Sequence, residues 1–294
     1  MVILVYRNTL FTIIRKGVMP MKSKFLIIAV VVFLVLFLVM LFSPAESSSF
    51  TPQSLYADNG ISITLQGANT AGLKLSIDNQ GSESIHVYGD SAVINGFSIP
   101  ALLMQDVYSN KTATSTVHFD SAVLSTAGIS TIADVNLYIR ITDENERDIY
   151  DGRVSATLDN SYVQPVDSSG VVVYSSDDCF ISARPNDLDN PRNAAIIYVE
   201  NKTDNRLSLV CDSLSINGKM LNGMFSLQNV EAQSRAQFIL DPYTLKMLND
   251  DNAAAMSVSH VDDMSIRLEL TPWRGTTIST ADMFSTDVIR VIGK

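Results

Sequence analysis

The chain has 294 residues, room for about two domains, with 46% hydrophobic and 18% charged residues and a formal net charge of −10. That composition can bury real cores and excludes a largely disordered polymer. The excess of acid excludes nucleic acid as a natural partner, because phosphate binding needs clustered Lys and Arg.

The first element in chain order is residues 25–42, FLIIAVVVFLVLFLVMLF, an uncharged apolar run that reaches about 27 Å as a helix at ~1.5 Å per residue. It reads as a transmembrane anchor whose partner is the lipid bilayer. Ser43-Pro44-Ala45 also resembles a cleavage site, and a secretory signal removed after Ala45 is the alternative. Arg7, Arg15, Lys16, Lys22 and Lys24 precede the run and no acid does, which places residues 1–24 in the cytoplasm and the rest outside it. Met19 or Met21 would make a more ordinary start than Met1. Beyond the five leading cations remain 16 basic against 31 acidic residues, a net −15, for which solubility is a sufficient reason.

Residues 43–54 have linker composition (ESSSFTPQ), and so do residues 161–171 within LDNSYVQPVDSSG. Between them, alternating apolar residues predict strands at 61–65, 73–78, 84–94, 97–99, 114–119, 134–142 and 153–158. SAVLSTAG from Ser121 and DPYTLKMLN from Asp241 predict short helices. Residues 55–160 and 172–294 are two copies of one pattern. DSAVING at 90–96 returns as DSLSING at 212–218, and Leu75, Ile77, Ile85 and Val87 fall on Ile197, Val199, Leu207 and Leu209 at the same offset. Asn95-Gly96 and Asn217-Gly218 each follow an isoleucine, where a two-residue type I′ turn wants φ > 0 at both positions. Seven short strands per copy at intervals near ten residues predict an all-β fold of two tandem immunoglobulin-like antiparallel β-sandwiches.

With the asparagine-centred turn and the ING motif in place, the pattern resembles the immunoglobulin-like repeats of uncharacterised membrane-anchored proteins of Gram-positive bacteria. Those repeats often follow a short cytoplasmic segment or a zinc ribbon and one transmembrane helix. The resemblance covers residues 55–160 and 172–294 and implies a fold and an extracytoplasmic location, with no activity. The N-terminal segment contains no cysteine, so a zinc ribbon is missing here.

Chemistry-bearing residues are sparse. Cys179 and Cys211 both fall in the second copy and would form either a disulfide or two buried thiols. His86, His118 and His260 are never spaced as a zinc set. Among the acid clusters, Asp187-x-Asp189-Asn190 places oxygens at alternating positions, as calcium loops do, although a solvated loop is the plainer account. Asp134 and Asp263 match between copies at the head of a strand, as strand-entry residues. No nucleophile elbow, phosphate loop or metalloprotease motif is present, so no enzyme and no cofactor are expected. Trp273, alone in the chain, is followed by Arg274, and this pair is the candidate interface anchor unless Trp273 caps the end of its core. The expected function is a binding, adhesion or spacer module. A cation-dependent cell-wall or carbohydrate binder and the ectodomain of a sensory assembly are the alternatives.

Overall fold

The computed structural model describes residues 50–221, 225–243, 259–274, 277–278 and 283–293. The expected anchor, residues 25–42, and most of the helix expected from Asp241 lie outside these residues, as does the acidic pair Asp250-Asp251. No helix among the described residues is long and apolar enough to cross a membrane.

Among the described residues the protein is all-β apart from one short helix and a 3-10 turn. Copy one contains β1 (Gln53–Asp58), β2 (Ile61–Asn69), β3 (Gly72–Asn79), β4 (Ile85–Ile94), β5 (Phe97–Val107), β6 (Lys111–Phe119), α1 (Ser121–Thr126), β7 (Asp134–Asp143) and β8 (Asp148–Thr157). Copy two contains β9 (Val171–Ser175), β10 (Cys179–Pro185), a 3-10 turn at Pro191–Asn193, β11 (Ala195–Asn201), β12 (Leu207–Ile216), β13 (Lys219–Leu221), β14 (Phe225–Val230), β15 (Ser234–Leu240), β16 (Met264–Arg274), β17 (Thr277–Ile278), β18 (Phe284–Ser285) and β19 (Ile289–Ile292).

Strand order repeats with the sequence. In copy one β1-β2-β3-β6 pair side by side, as do β5-β4-β7-β8. In copy two the corresponding sets are β9-β10-β11-β15, and β12 flanked by β13 and β14 on one side and by β16 with β17, β18 and β19 on the other. Alternation puts one face of each strand inside: Ile61, Ile63 and Leu65 of β2 face the core with Leu73, Leu75 and Ile77 of β3 and Leu137, Ile139 and Ile141 of β7. In copy two both strand sets feed one core cluster, including Ile181, Ile197, Leu209, Leu214, Ile266 and Leu268. Each such side chain contributes about 1.5–3 kcal/mol relative to exposure.

The repeated asparagines explain why the copies fold alike. Asn79 and Asn201 are fully buried at the ends of β3 and β11. Asn79 Nδ2 donates to the carbonyls of Glu83 (2.9 Å) and Val107 (3.0 Å), and its Oδ1 accepts from Gly81 N. Asn201 repeats the pattern with Asn205 O, Val230 O and Thr203 N. Asn95 (φ 51°) and Gly96 (φ 84°), like Asn217 (φ 50°) and Gly218 (φ 75°), have the paired positive φ of a type I′ turn. The same asparagines staple the next strand. Asn95 Nδ2 donates to Thr131 O and its Oδ1 accepts from Ala133 N and Asp134 N, while Asn217 does so with His260 O, Asp262 N and Asp263 N.

Three expectations need correcting. Strand β1 begins at Gln53, inside the expected linker, and pairs with β2 through a bulge that breaks its alternation. Strand β5 runs eleven residues rather than three, because Pro100 sits opposite Ser91 at a bulge of β4, where the ladder is already interrupted. The segment 161–171, expected as a linker, is held at several points. Gln164 bonds Asn95 and the carbonyls of Ala127 and Gly128, Asp167 pairs with Arg184, and Ser168 O accepts from Ser182 Oγ. Thr51–Lys294 accordingly forms one compact unit.

Candidate functional site

The copies meet along a polar seam. Arg235 N donates to Gly96 O (2.9 Å), and Phe97 of β5 pairs in parallel with Arg235 of β15, which makes the hydrogen-bonded path from β1 to β9 continuous. The Ser98 and Ser234 hydroxyls are 2.7 Å apart, Gln228 Nε2 donates to Ser98 O, Glu231 N donates to Ser98 Oγ, and Gln237 Nε2 donates to Thr126 O. Both serines and both glutamines are buried, so each bond replaces one that water made in the unfolded chain.

At the rim of this seam lies a groove of about 620 Å³, lined by the outward face of copy one and by Arg206, Glu231 and Trp273 of copy two. The bulge of β4 turns Asp90 toward copy two, where Arg206 Nη1 and Nη2 donate to its two oxygens at 3.1 and 3.0 Å. Arg206 Nε donates to Glu231 (2.6 Å), Nη2 donates to Ser91 Oγ (2.8 Å), and the guanidinium lies 5.2 Å above the Trp273 ring. Glu231 is 3% exposed. Burial holds its carboxyl above the usual range against the pull of Arg206 and Ser91. Burial also opposes the charged form of Asp90, but its bonds to Arg206 bring that carboxyl below its ordinary value. Arg206 stays a cation throughout, because Asp90 and Glu231 outweigh the burial that disfavours its charge.

The floor is a cross-strand row, Met104 of β5, Tyr88 of β4, Arg140 of β7 and Asp151 of β8, each opposite the next. Leu102 and Met104 are 67% and 72% exposed, and Tyr138 stands half-buried between them and the seam. Arg140 Nε donates to Asp148 at 2.5 Å.

Of the residues singled out by sequence, Trp273 belongs to this groove. It is half-buried, its backbone N donates to Arg206 O, and its Nε1 is buried without an acceptor. Arg274 continues β16 and pairs with Thr277. Asp187 and Asp189 do not line the groove and lie exposed before the 3-10 turn. Asp189 pairs with His260 Nδ1 (2.8 Å), and Asn190 caps the turn through Arg192 N. Among the described residues no group of three or more His, Cys, Asp and Glu is placed to hold a metal ion. Cys179 and Cys211 are free and buried, and burial pushes each thiol up to about 12, far from the thiolate that nucleophilic chemistry needs.

Asp90, Arg206, Glu231, Tyr88, Leu102 and Met104 were not picked out from sequence. Two signals existed: apolar residues at the outward positions of PALLMQD, and the divergence between copies at Ser84 against Arg206 and Tyr138 against Arg267. No protein-family model matches the chain, and no curated protein matches it.

Proposed function

We propose that the chain is a membrane-anchored extracytoplasmic binding module, two immunoglobulin-like sandwiches carried on residues 25–42, and that it engages its ligand in the groove between the copies. One observation carries this: Leu102 and Met104, at 67% and 72% exposure, stand in a concavity with Tyr88, Tyr138 and Trp273. Exposed apolar side chains gathered in a concave site mark interaction surfaces, whereas isolated ones are ordinary. The polar seam supports the same reading, because it holds the two walls of the groove in one relation and so lowers the ordering cost of binding.

A photo-crosslinking residue placed at Met104 of the full chain, in its native cell, tests the reading. The same residue at Met220, which is 58% exposed in copy two and does not line the groove, is the control. A discrete crosslinked product from position 104 and none from 220 is expected. No product from 104, or equal products from both, overturns the assignment.

A further inference from the structure

We infer that the groove accepts an extended peptide segment of a partner protein, with an apolar side chain at one position and a lysine or arginine four residues along. This rests on the groove being the binding site and adds the chemistry of its occupant.

The apolar end is set by Leu102 and Met104 beside Tyr88. Aliphatic side chains give a sugar hydroxyl nothing to bond with, while an unbranched methionine adapts to another protein's side chain, the use such surfaces make of it. The cationic end follows from how the charges are already matched. Arg206 is saturated by Asp90 and Glu231. Arg140 is bonded to Asp148 and stands opposite Asp151. An anionic ligand, a phosphate headgroup included, would have to break one of these pairs. A cation instead meets Asp151, which is exposed, and a lining in which Asp90, Asp151 and Glu231 outnumber the two arginines. The −15 of the chain beyond its leading cations steers the same kind of partner inward.

Spacing comes from the cross-strand row. Met104 to Asp151 crosses three strand intervals, about 14 Å at ~4.8 Å each. An extended chain rises about 3.3 Å per residue and shows alternate side chains to one face, so residues i and i+4 span about 13 Å on the same side.

Trp273 is the only tryptophan in the chain and lines the groove, so its fluorescence reports occupancy directly. The probes are two synthetic nine-residue peptides of serine and threonine with leucine at the third position and either lysine or glutamate at the seventh. They are titrated into the full chain in non-ionic detergent. A saturable change with the lysine peptide is expected, at least about fivefold tighter than with the glutamate peptide and weakened by salt. Leu102→Asp with Met104→Asp, both at exposed positions, should abolish it. Asp151→Lys should remove the preference for lysine with binding otherwise retained. Equal binding of both peptides, binding undiminished in the double variant, no response to either peptide, or a response to an oligosaccharide or anionic vesicle instead overturns the inference. A Met104 crosslink obtained alongside any of these would leave the groove as the binding site and dismiss only the peptide.

Discussion

The same bulge aspartate does opposite work in the two copies. Asp212 of DSLSING is bonded by Arg267, from the neighbouring strand of its own copy. Asp90 of DSAVING has Tyr138 in the place of that arginine, since Ser91 is opposite Tyr138 as Ser213 is opposite Arg267. Left without a cation of its own, Asp90 takes Arg206 from copy two, at a position where copy one has only Ser84. Two substitutions on one duplicated frame therefore convert an internal ion pair into a lock between copies. Binding surfaces at repeat junctions can arise this way, by changing which copy supplies the partner while the backbone stays as it was.

The lock can be broken at its centre. Arg206→Ala leaves Glu231 buried without its cation, which should destabilise the protein by about 3 kcal/mol, whereas Arg267→Ala, at a more exposed pair, should cost about 1 kcal/mol or less. Chemical denaturation followed by circular dichroism measures both, and equal losses would show that the lock is no stronger than the internal pair. Next in size, Asn79→Ala and Asn201→Ala each strip partners from backbone groups at the end of a strand. They should cost about 2 kcal/mol apiece and nearly the same in both copies, and unequal losses would separate frames that look alike. A Tyr138→Arg substitution gives copy one the arrangement of copy two. The coupling between Asp90 and Arg206, read by a double-mutant cycle, should drop from about 1 kcal/mol toward zero as the new guanidinium competes. Coupling that survives would mean geometry, not competition, selects the partner.

The smallest effect is in pH. Because the folded state raises the Glu231 pKa, it holds that proton more tightly than the unfolded chain does. The wild type should therefore lose stability relative to Glu231→Gln as pH rises from the ordinary glutamate value of 4.5 through the raised folded value. An advantage growing in the opposite direction would show that Arg206 dominates the site. Asp90 has the other sign, its contribution vanishing as pH falls below 3.8 through its lowered folded value.

Much of the frame was legible in the sequence because it is written in local terms. Alternation placed the buried faces of β2, β3, β4 and β7, and the Asn-Gly dipeptides placed two turns whose positive φ few other pairs adopt. What escaped is non-local. The second role of Asn95, holding Thr131, Ala133 and Asp134, depends on where another segment lies. The length of β5 was hidden by Pro100, whose harmlessness depends on a bulge in its partner strand. The groove was hidden because its charges come from β4, β7, β8, Arg206 and Glu231, which share no spacing. Only a position-by-position comparison of the copies brings out Tyr138 and Arg206.

The stapled asparagines also set how the protein ages. Asn-Gly is the dipeptide most prone to deamidation, through attack of the glycine nitrogen on the asparagine amide carbon. That attack needs an amide free to rotate. The side chains of Asn95 and Asn217 are each held by three bonds to a neighbouring segment, whereas exposed Asn59 before Gly60 bonds side chains of its own strand end, Asp58 and Tyr56. On alkaline incubation, peptide mass mapping should find isoaspartate at Asn59 before Asn95 and Asn217, whose turns are spared until the fold itself opens. The seven letters that build each copy would then also act as its slowest clock.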